Sequence, residues 1–172
     1  GGCNVTSPCK TWGARLIEHL SPAAELSGAC NTVVVEEDVT MTGHNTDGVG
    51  FVRNLKEHGV EVKGQKIVLL GTGGAATAIA VQAALDGTAE IAIFNQKEEF
   101  YANGEKTVEK LRKAVPGISS VSINDLGDTE LLREAVKNAD ILVNATRAGM
   151  SPLEDVIPVP EDVLRPELAV AD

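Results

Sequence analysis

Hydrophobic and polar positions along this chain follow two regimes, with the change near residue 60. Beyond it, short apolar runs alternate with stretches of helical period. The runs fall near 66–70, 90–94, 119–123, 140–144 and 168–171, and helices are expected between them. Strict alternation of strand and helix predicts a parallel, doubly wound sheet, because each crossover helix returns the chain to the same end of the sheet. Val108, Leu111 and Val115 have the spacing of one buried helix face. Before residue 60 the pattern is more broken. It predicts a strand end at Cys3–Thr6, a helix from about Lys10 to Leu20, and a second helix starting at Ser21-Pro22. Extended segments at Thr32–Glu36 and Val39–Thr42 read as a hairpin around Glu37-Asp38. Asp47 suits the N-cap of a helix that carries Phe51, Val52 and Leu55 on one face and ends near His58-Gly59.

One junction in the second regime carries chemistry. Ile67-Val-Leu-Leu-Gly-Thr-Gly-Gly-Ala-Ala76 runs an apolar strand into a glycine turn that opens a helix from about Gly74 to Leu85. Gly71, Gly73 and Ala76 fill the three positions of G-x-G-x-x-G/A: a tight turn, a close backbone approach to pyrophosphate, and close packing of helix on strand. Phosphates would meet the unpaired N–H groups and positive end of that helix. With the next strand at Ile91–Phe94 the β-α-β context is complete, so the fold expected over residues 60–172 is a Rossmann-like dinucleotide-binding domain. An ordinary strand–helix turn is the alternative reading of the glycines alone.

Composition narrows the partners. The 172 residues carry a formal charge of −10, which argues against nucleic acid or an anionic membrane surface, since both require a basic patch. No apolar run has membrane-spanning length. Cys3, Cys9 and Cys30 are odd in number and lack metal-ligand spacing, which suggests reduced thiols and a cytoplasmic protein; no metal is expected. Trp12 is expected to pack, His44 to serve a loop as a hydrogen bonder, and His19 and His58 to sit near helix C-termini.

The first regime is denser in polar chemistry than its length requires. Thr6 and Lys10 flank a strand-to-helix junction, Asn31-Thr32 follows Gly28-Ala29, and Gly43-His-Asn-Thr-Asp-Gly48 ends another strand. Taken alone, Lys10 beside Pro8 reads as well as a solvated charge, and Asp47 as a helix cap. Together the phrases resemble the shikimate/quinate dehydrogenase family, with its N-V-T-x-P-x-K, G-A-x-N-T and G-x-N-T-D-G-x-G-F signatures in this order. The resemblance continues through Gly71–Ala75 and Asn144-Ala-Thr-Arg-Ala-Gly-Met150 and covers nearly the whole chain. Phe94-Asn-Gln-Lys-Glu-Glu-Phe100 looks most like the branch of broader substrate and cofactor range.

The resemblance implies an oxidoreductase that interconverts shikimate or quinate with the 3-dehydro acid by hydride transfer to a nicotinamide. It implies Lys10 and Asp47 as the catalytic pair, and Thr6, Lys10, Asn31 and Asp47 as the groups that hold a polyhydroxy cyclohexane or cyclohexene carboxylate. Gly71, Thr72, Gly73, Gly74 and Ala75 are expected at the pyrophosphate, with Asn95, Gln96, Lys97, Glu98 and Arg147 around the adenosine. Gln96 stands where NADP-dependent relatives place Arg, and Glu98 and Glu99 would repel a 2′-phosphate, so NAD is expected as cofactor with NADP possible. Residues 1–59 then form part of a smaller α/β substrate domain. The family's Ser-x-Ser clamp and Gln-bearing C-terminal segment are not in the sequence, so an internal fragment is expected, from a monomer or homodimer. A dinucleotide-binding module without catalysis is the alternative, and the Lys10–Asp47 combination argues against it.

Overall fold

A computed structural model describes all 172 residues and shows two sheets joined by a helix. The first sheet holds four strands, β1 (Gly2–Asn4), β2 (His19–Leu20), β3 (Thr32–Val35) and β4 (Met41–His44), in the order β1-β3-β4-β2. Strands β3 and β4 form the expected hairpin, with Val33 opposite Gly43, and Val39 takes a left-handed φ of 70° in the connection. Two short helices, α1 (Lys10–Leu16) and α2 (Pro22–Ser27), link the strands. Ser21 caps α2 as its sequence implied, accepting a hydrogen bond from the Ala24 amide.

Three expectations for this half need correction. The helix begun at Lys10 stops at Leu16 instead of Leu20, because His19 and Leu20 pair in parallel with Thr42 and Gly43. Helical periodicity is a local signal and cannot report that long-range pairing. His19 therefore lies in a strand and not at a helix end. Trp12 does not pack in a core; it is 62% exposed, with the Arg15 guanidinium 5.4 Å from its ring centroid.

The joining helix α3 (Asp47–Glu57) ends at His58 and Gly59 as expected, and His58 Nδ1 lies 2.9 Å from the Asn54 carbonyl oxygen. Its start differs. Thr46 occupies the N-cap without a side-chain capping bond, and Asp47 is the first helical residue, its carboxylate turned to other partners.

The second sheet is wholly parallel. Its strands β5 (Lys66–Leu70), β6 (Glu90–Asn95), β7 (Ser120–Asp125), β8 (Ile141–Asn144) and β9 (Ala169–Ala171) run in the order β7-β6-β5-β8-β9. Chain direction across the sheet reverses between β5 and β8, the topological switch point at which doubly wound folds open a crevice. Helices α4 (Gly74–Leu85), α5 (Tyr101–Ala114) and α6 (Thr129–Lys137) cover the faces. Alternate residues of β5 serve opposite cores: Ile67 and Leu69 join Ile79, Ile93 and Leu111 in one, while Val68 and Leu70 join Phe94, Leu132 and Val136 in the other. Each such side chain, fully buried, is worth about 1.5–3 kcal/mol, which makes this half the stable body of the molecule. Of the face Val108, Leu111 and Val115, the first two are buried and Val115 closes the helix partly buried. No α-helix joins β8 to β9, contrary to the expected alternation: a single 3-10 turn at Glu161–Val163 is the only helical piece there. Pro152, Pro158, Pro160 and Pro166 explain this, since each removes a donor and clashes within a helix.

The two halves meet through helices. Gly48, in the first turn of α3, lies so close to α4 that a Cβ built there would come 2.2 Å from the Ala78 carbonyl oxygen. Ala78 is four residues beyond the start of α4, or about 6 Å along its axis. This contact brings Asp47 close to the N-terminal end of the helix that follows the glycine turn.

Candidate active site

Lys10 begins α1, Asp47 begins α3 and Asn31 precedes β3, so three separate chain segments deliver their first polar residue to one place. Lys10 Nζ lies 2.6 Å from Asp47 Oδ2, and the pair is part-buried, with side-chain exposures of 27% and 37%. The other carboxylate oxygen, Oδ1, accepts from Asn31 Nδ2 at 2.9 Å. Asn31 is fixed in turn. Its Nδ2 also donates to Thr46 Oγ1 at 3.0 Å, and its Oδ1 accepts from the Thr46 amide at 3.0 Å and from Thr32 Oγ1 at 3.0 Å. Both oxygens of Asp47 are thus committed and the ammonium is held in one position while one side stays open to solvent. Such a pair can bind a hydroxyl and pass its proton. Thr6 stands apart, exposed in the turn before α1, where its carbonyl accepts from the Cys9 amide. His44 lies on β4 and lines a neighbouring cavity of about 510 Å³ with Asn45 and Thr46.

At the head of the parallel sheet the glycine turn is built as its spacing implied. Gly71 takes a φ of 107°, and a Cβ there would come 2.8 Å from the Ala145 carbonyl oxygen, so this position excludes any side chain. Gly73 is different: its φ is −73°, and no atom lies within 4 Å of an added Cβ. The space beside it is open on the protein side. Gly73 caps α4 without any side-chain bond, and the first helical hydrogen bond runs from the Thr77 amide to the Gly73 carbonyl. The amides of Gly74, Ala75 and Ala76 precede it and face outward without an intrahelical acceptor, at the positive end of the helix. Ala76 is buried at 1%, as close packing of helix on strand requires. Thr72 turns inward, its hydroxyl donating to the Phe100 carbonyl at 2.8 Å, so only its backbone is available to a ligand.

Beyond the turn, a cavity of about 680 Å³ opens between the ends of β6 and β8. Asn95, Gln96, Glu98 and Arg147 line it, whereas Lys97 is exposed outside the lining. Asn95 Nδ2 donates to the Gln96 carbonyl and stiffens the rim. The opposite wall comes from Thr129 at the start of α6 and from the proline-rich segment around Ile157, neither of which the sequence reading assigned to a site. Arg133 pairs with Asp162 behind that wall and holds its carboxyl below the usual carboxylate range. Asn45 and Thr46 were also missed, although both stand inside the G-x-N-T-D-G phrase that marked Asp47.

A glycine turn at the switch point of a parallel sheet with this strand order, feeding a helix whose first amides are free, defines a Rossmann-type fold. No family model matches the chain. A shikimate dehydrogenase (NADP(+)) of Listeria monocytogenes is 50% identical over 172 residues, which is 99% of this chain and 58% of that protein. The crystal structure of shikimate 5-dehydrogenase from Listeria monocytogenes with shikimate and NAD superposes with a TM-score of 0.94 at 49% identity, over 98% of this chain and 58% of that one. Quinate dehydrogenase from Corynebacterium glutamicum in complex with NAD gives a TM-score of 0.82 at 27% identity, over 98% of this chain and 57% of that one. The chain is thus similar over nearly its whole length to shikimate and quinate dehydrogenases, and spans about 58% of the length of the curated relatives it matches.

Proposed function

We propose that this chain carries the acid–base pair and the dinucleotide cradle of an enzyme that oxidises shikimate or quinate to the 3-dehydro acid, reversibly, with NAD or NADP. The observation that carries the proposal is the Lys10–Asp47 pair at 2.6 Å, braced by Asn31 and set near the start of α4 by the Gly48 contact. Residues 1–59 serve as the substrate side and residues 60–172 as the nucleotide side. In the oxidation direction Lys10 acts from its neutral amine form: Nζ takes the proton of the reacting hydroxyl as hydride leaves the carbinol carbon for the nicotinamide, and Asp47 holds the ammonium so formed as well as that hydroxyl in place. Asn31 and Thr6 orient the remaining hydroxyls or the carboxylate of the ring. The bound nicotinamide supplies the hydride acceptor. The open space at Gly73 and the free amides of Gly74, Ala75 and Ala76 fit a pyrophosphate, with Gly71 shaping the turn and Thr72 contributing backbone only. Asn95, Gln96, Glu98 and Arg147 surround the adenosine, with Lys97 beside them. Glu98 on the lining and the absence of an Arg at Gln96 favour NAD, while Arg147 leaves NADP usable. A pure binding module would have no need of a braced lysine–carboxylate pair, which favours catalysis over the simpler reading.

No helix is long and apolar enough to cross a membrane. A cytoplasmic setting, as monomer or homodimer, belongs to the same proposal; the three free cysteines support the location.

The test is an assay of the protein expressed from its complete reading frame, with shikimate and quinate each offered against NAD and NADP. Reduced nicotinamide should accumulate with at least one polyol acid. A folded protein that reduces neither cofactor with either acid would remove the proposal.

A further inference from the structure

Asn45 is buried to 4% exposure and is one of only four buried polar residues other than glycine in the molecule. Both its oxygen and its nitrogen are engaged. Oδ1 accepts from the Asp47 amide at 3.1 Å, and Nδ2 donates to Ser27 Oγ at 3.0 Å. Ser27, the last residue of α2, has its hydroxyl 3.3 Å from the Ala29 carbonyl and 3.4 Å from that of Ala24. Ala29 lies two residues before Asn31, so one chain of hydrogen bonds runs from the loop that carries Asn31, through Ser27 and Asn45, to the amide of Asp47. Thr46 does not cap α3 with its hydroxyl; the Asn45 side-chain oxygen Oδ1 takes the first amide of the helix instead.

We propose that Asn45, seated on Ser27, is a positioning residue that sets the Asp47 carboxylate against Lys10 and Asn31. The inference rests on the catalytic role proposed for Lys10 and Asp47. Asn31 alone does not fix that carboxylate, because it holds only one of its oxygens and makes no hydrogen bond to the Asp47 backbone. The backbone of Asp47 must be placed as well, and the Asn45 oxygen is the only side-chain group that holds its amide. Release of that amide lets the first turn of α3 fray, and a displacement of about 1 Å at a reacting group can lower turnover by roughly a hundredfold. Ground-state binding of the ring draws on several other groups and changes less.

The experiment compares Asn45→Ala, Ser27→Ala and Ser27→Thr in the protein from the complete reading frame, each checked for an unchanged far-UV spectrum. Asn45→Ala should lower kcat by about tenfold to a hundredfold while KM for the polyol acid stays within roughly threefold. Ser27→Ala should move kcat in the same direction by less, Ser27→Thr should restore it because its hydroxyl remains, and the double alanine variant should be no worse than Asn45→Ala. Exchange of the Asp47 amide with deuterium, measured on the same proteins, should be at least about tenfold faster in Asn45→Ala. If wild type turns over but Asn45→Ala keeps its kcat within about twofold, or loses kcat and KM in equal proportion, the positioning role is wrong. If wild type itself has no activity, the enzyme proposal fails, and the amide exchange still decides whether Asn45 places Asp47: unchanged exchange overturns it.

Discussion

The two halves of this molecule build their sites in opposite ways. Around Lys10, Asp47 and Asn31 the work is done by side chains held by one another and by Thr32 and Thr46, beside a sheet of short strands with few buried residues. At the glycine turn side chains are excluded: Gly71 has no room for one, and Gly73 leaves open space where a ligand's phosphates would lie. That turn is set on a deeply buried strand, with Val68, Leu69 and Leu70 at 2%, 1% and 0% exposure. Proton transfer needs oriented polar groups, and a pyrophosphate needs bare backbone on a rigid support. The first is sensitive to lost hydrogen bonds and the second to added atoms.

Substitutions should therefore act differently in the two halves. The largest effect is expected at Lys10. Lys10→Ala should reduce kcat by on the order of 10²–10⁴, the usual contribution of a positioned acid–base group, with NAD affinity unchanged. Steady-state kinetics alongside a cofactor titration reads both. Where the halves meet, Gly48→Ala drives a Cβ into the Ala78 carbonyl and should cost about 1–3 kcal/mol, whereas Gly50→Ala, on the same helix with nothing within 4 Å, should leave the melting midpoint equal or higher. A shared response of the two variants would show that α3 does not dock through Gly48. At the rim proposed for the adenosine, Gln96→Arg should shift the kcat/KM ratio toward NADP by about tenfold or more, since a charge-assisted hydrogen bond contributes roughly 1.5–3 kcal/mol. Glu98→Ala should move it the same way by less, because an exposed charge is screened. A wild type that already prefers NADP by more than about tenfold would mean that Lys97 or Arg147 supplies the phosphate contact.

The parallel half was legible almost strand by strand, because its apolar runs are buried on both faces and a glycine turn punctuates them. Helix α4 falls where the sequence placed it, at Gly74–Leu85. The first half was harder to read. His19 and Leu20 form a strand only because Thr42 and Gly43 lie beside them, a pairing across more than twenty residues that no local pattern carries. Trp12 was expected to pack, yet it is 62% exposed and α1 has no buried residue. Between β8 and β9 the alternation of the other units suggested a helix, but four prolines in that segment limit it to one 3-10 turn. For the site, ordered signatures marked Lys10, Asp47 and Asn31, and the structure brings these three together. Thr46 and Asn45 escaped notice because their contribution is to orient Asp47 and Asn31, which only three-dimensional hydrogen bonding shows. Thr72 shows the converse: its place in the glycine turn suggested a ligand contact, and its hydroxyl is spent on Phe100.

The contrast between a site of side chains and a site of bare backbone is tested most directly at Gly73, by calorimetric titration of NAD into wild type and Gly73→Val, with thermal melts of both. A Cβ at Gly73 meets no protein atom, so Gly73→Val should melt within a few degrees of wild type while its affinity for NAD falls by about a hundredfold or more, the branched side chain filling the space of the pyrophosphate. Unchanged NAD affinity in a folded Gly73→Val protein would contradict the account, since the glycine turn would then be a structural feature and not the cradle.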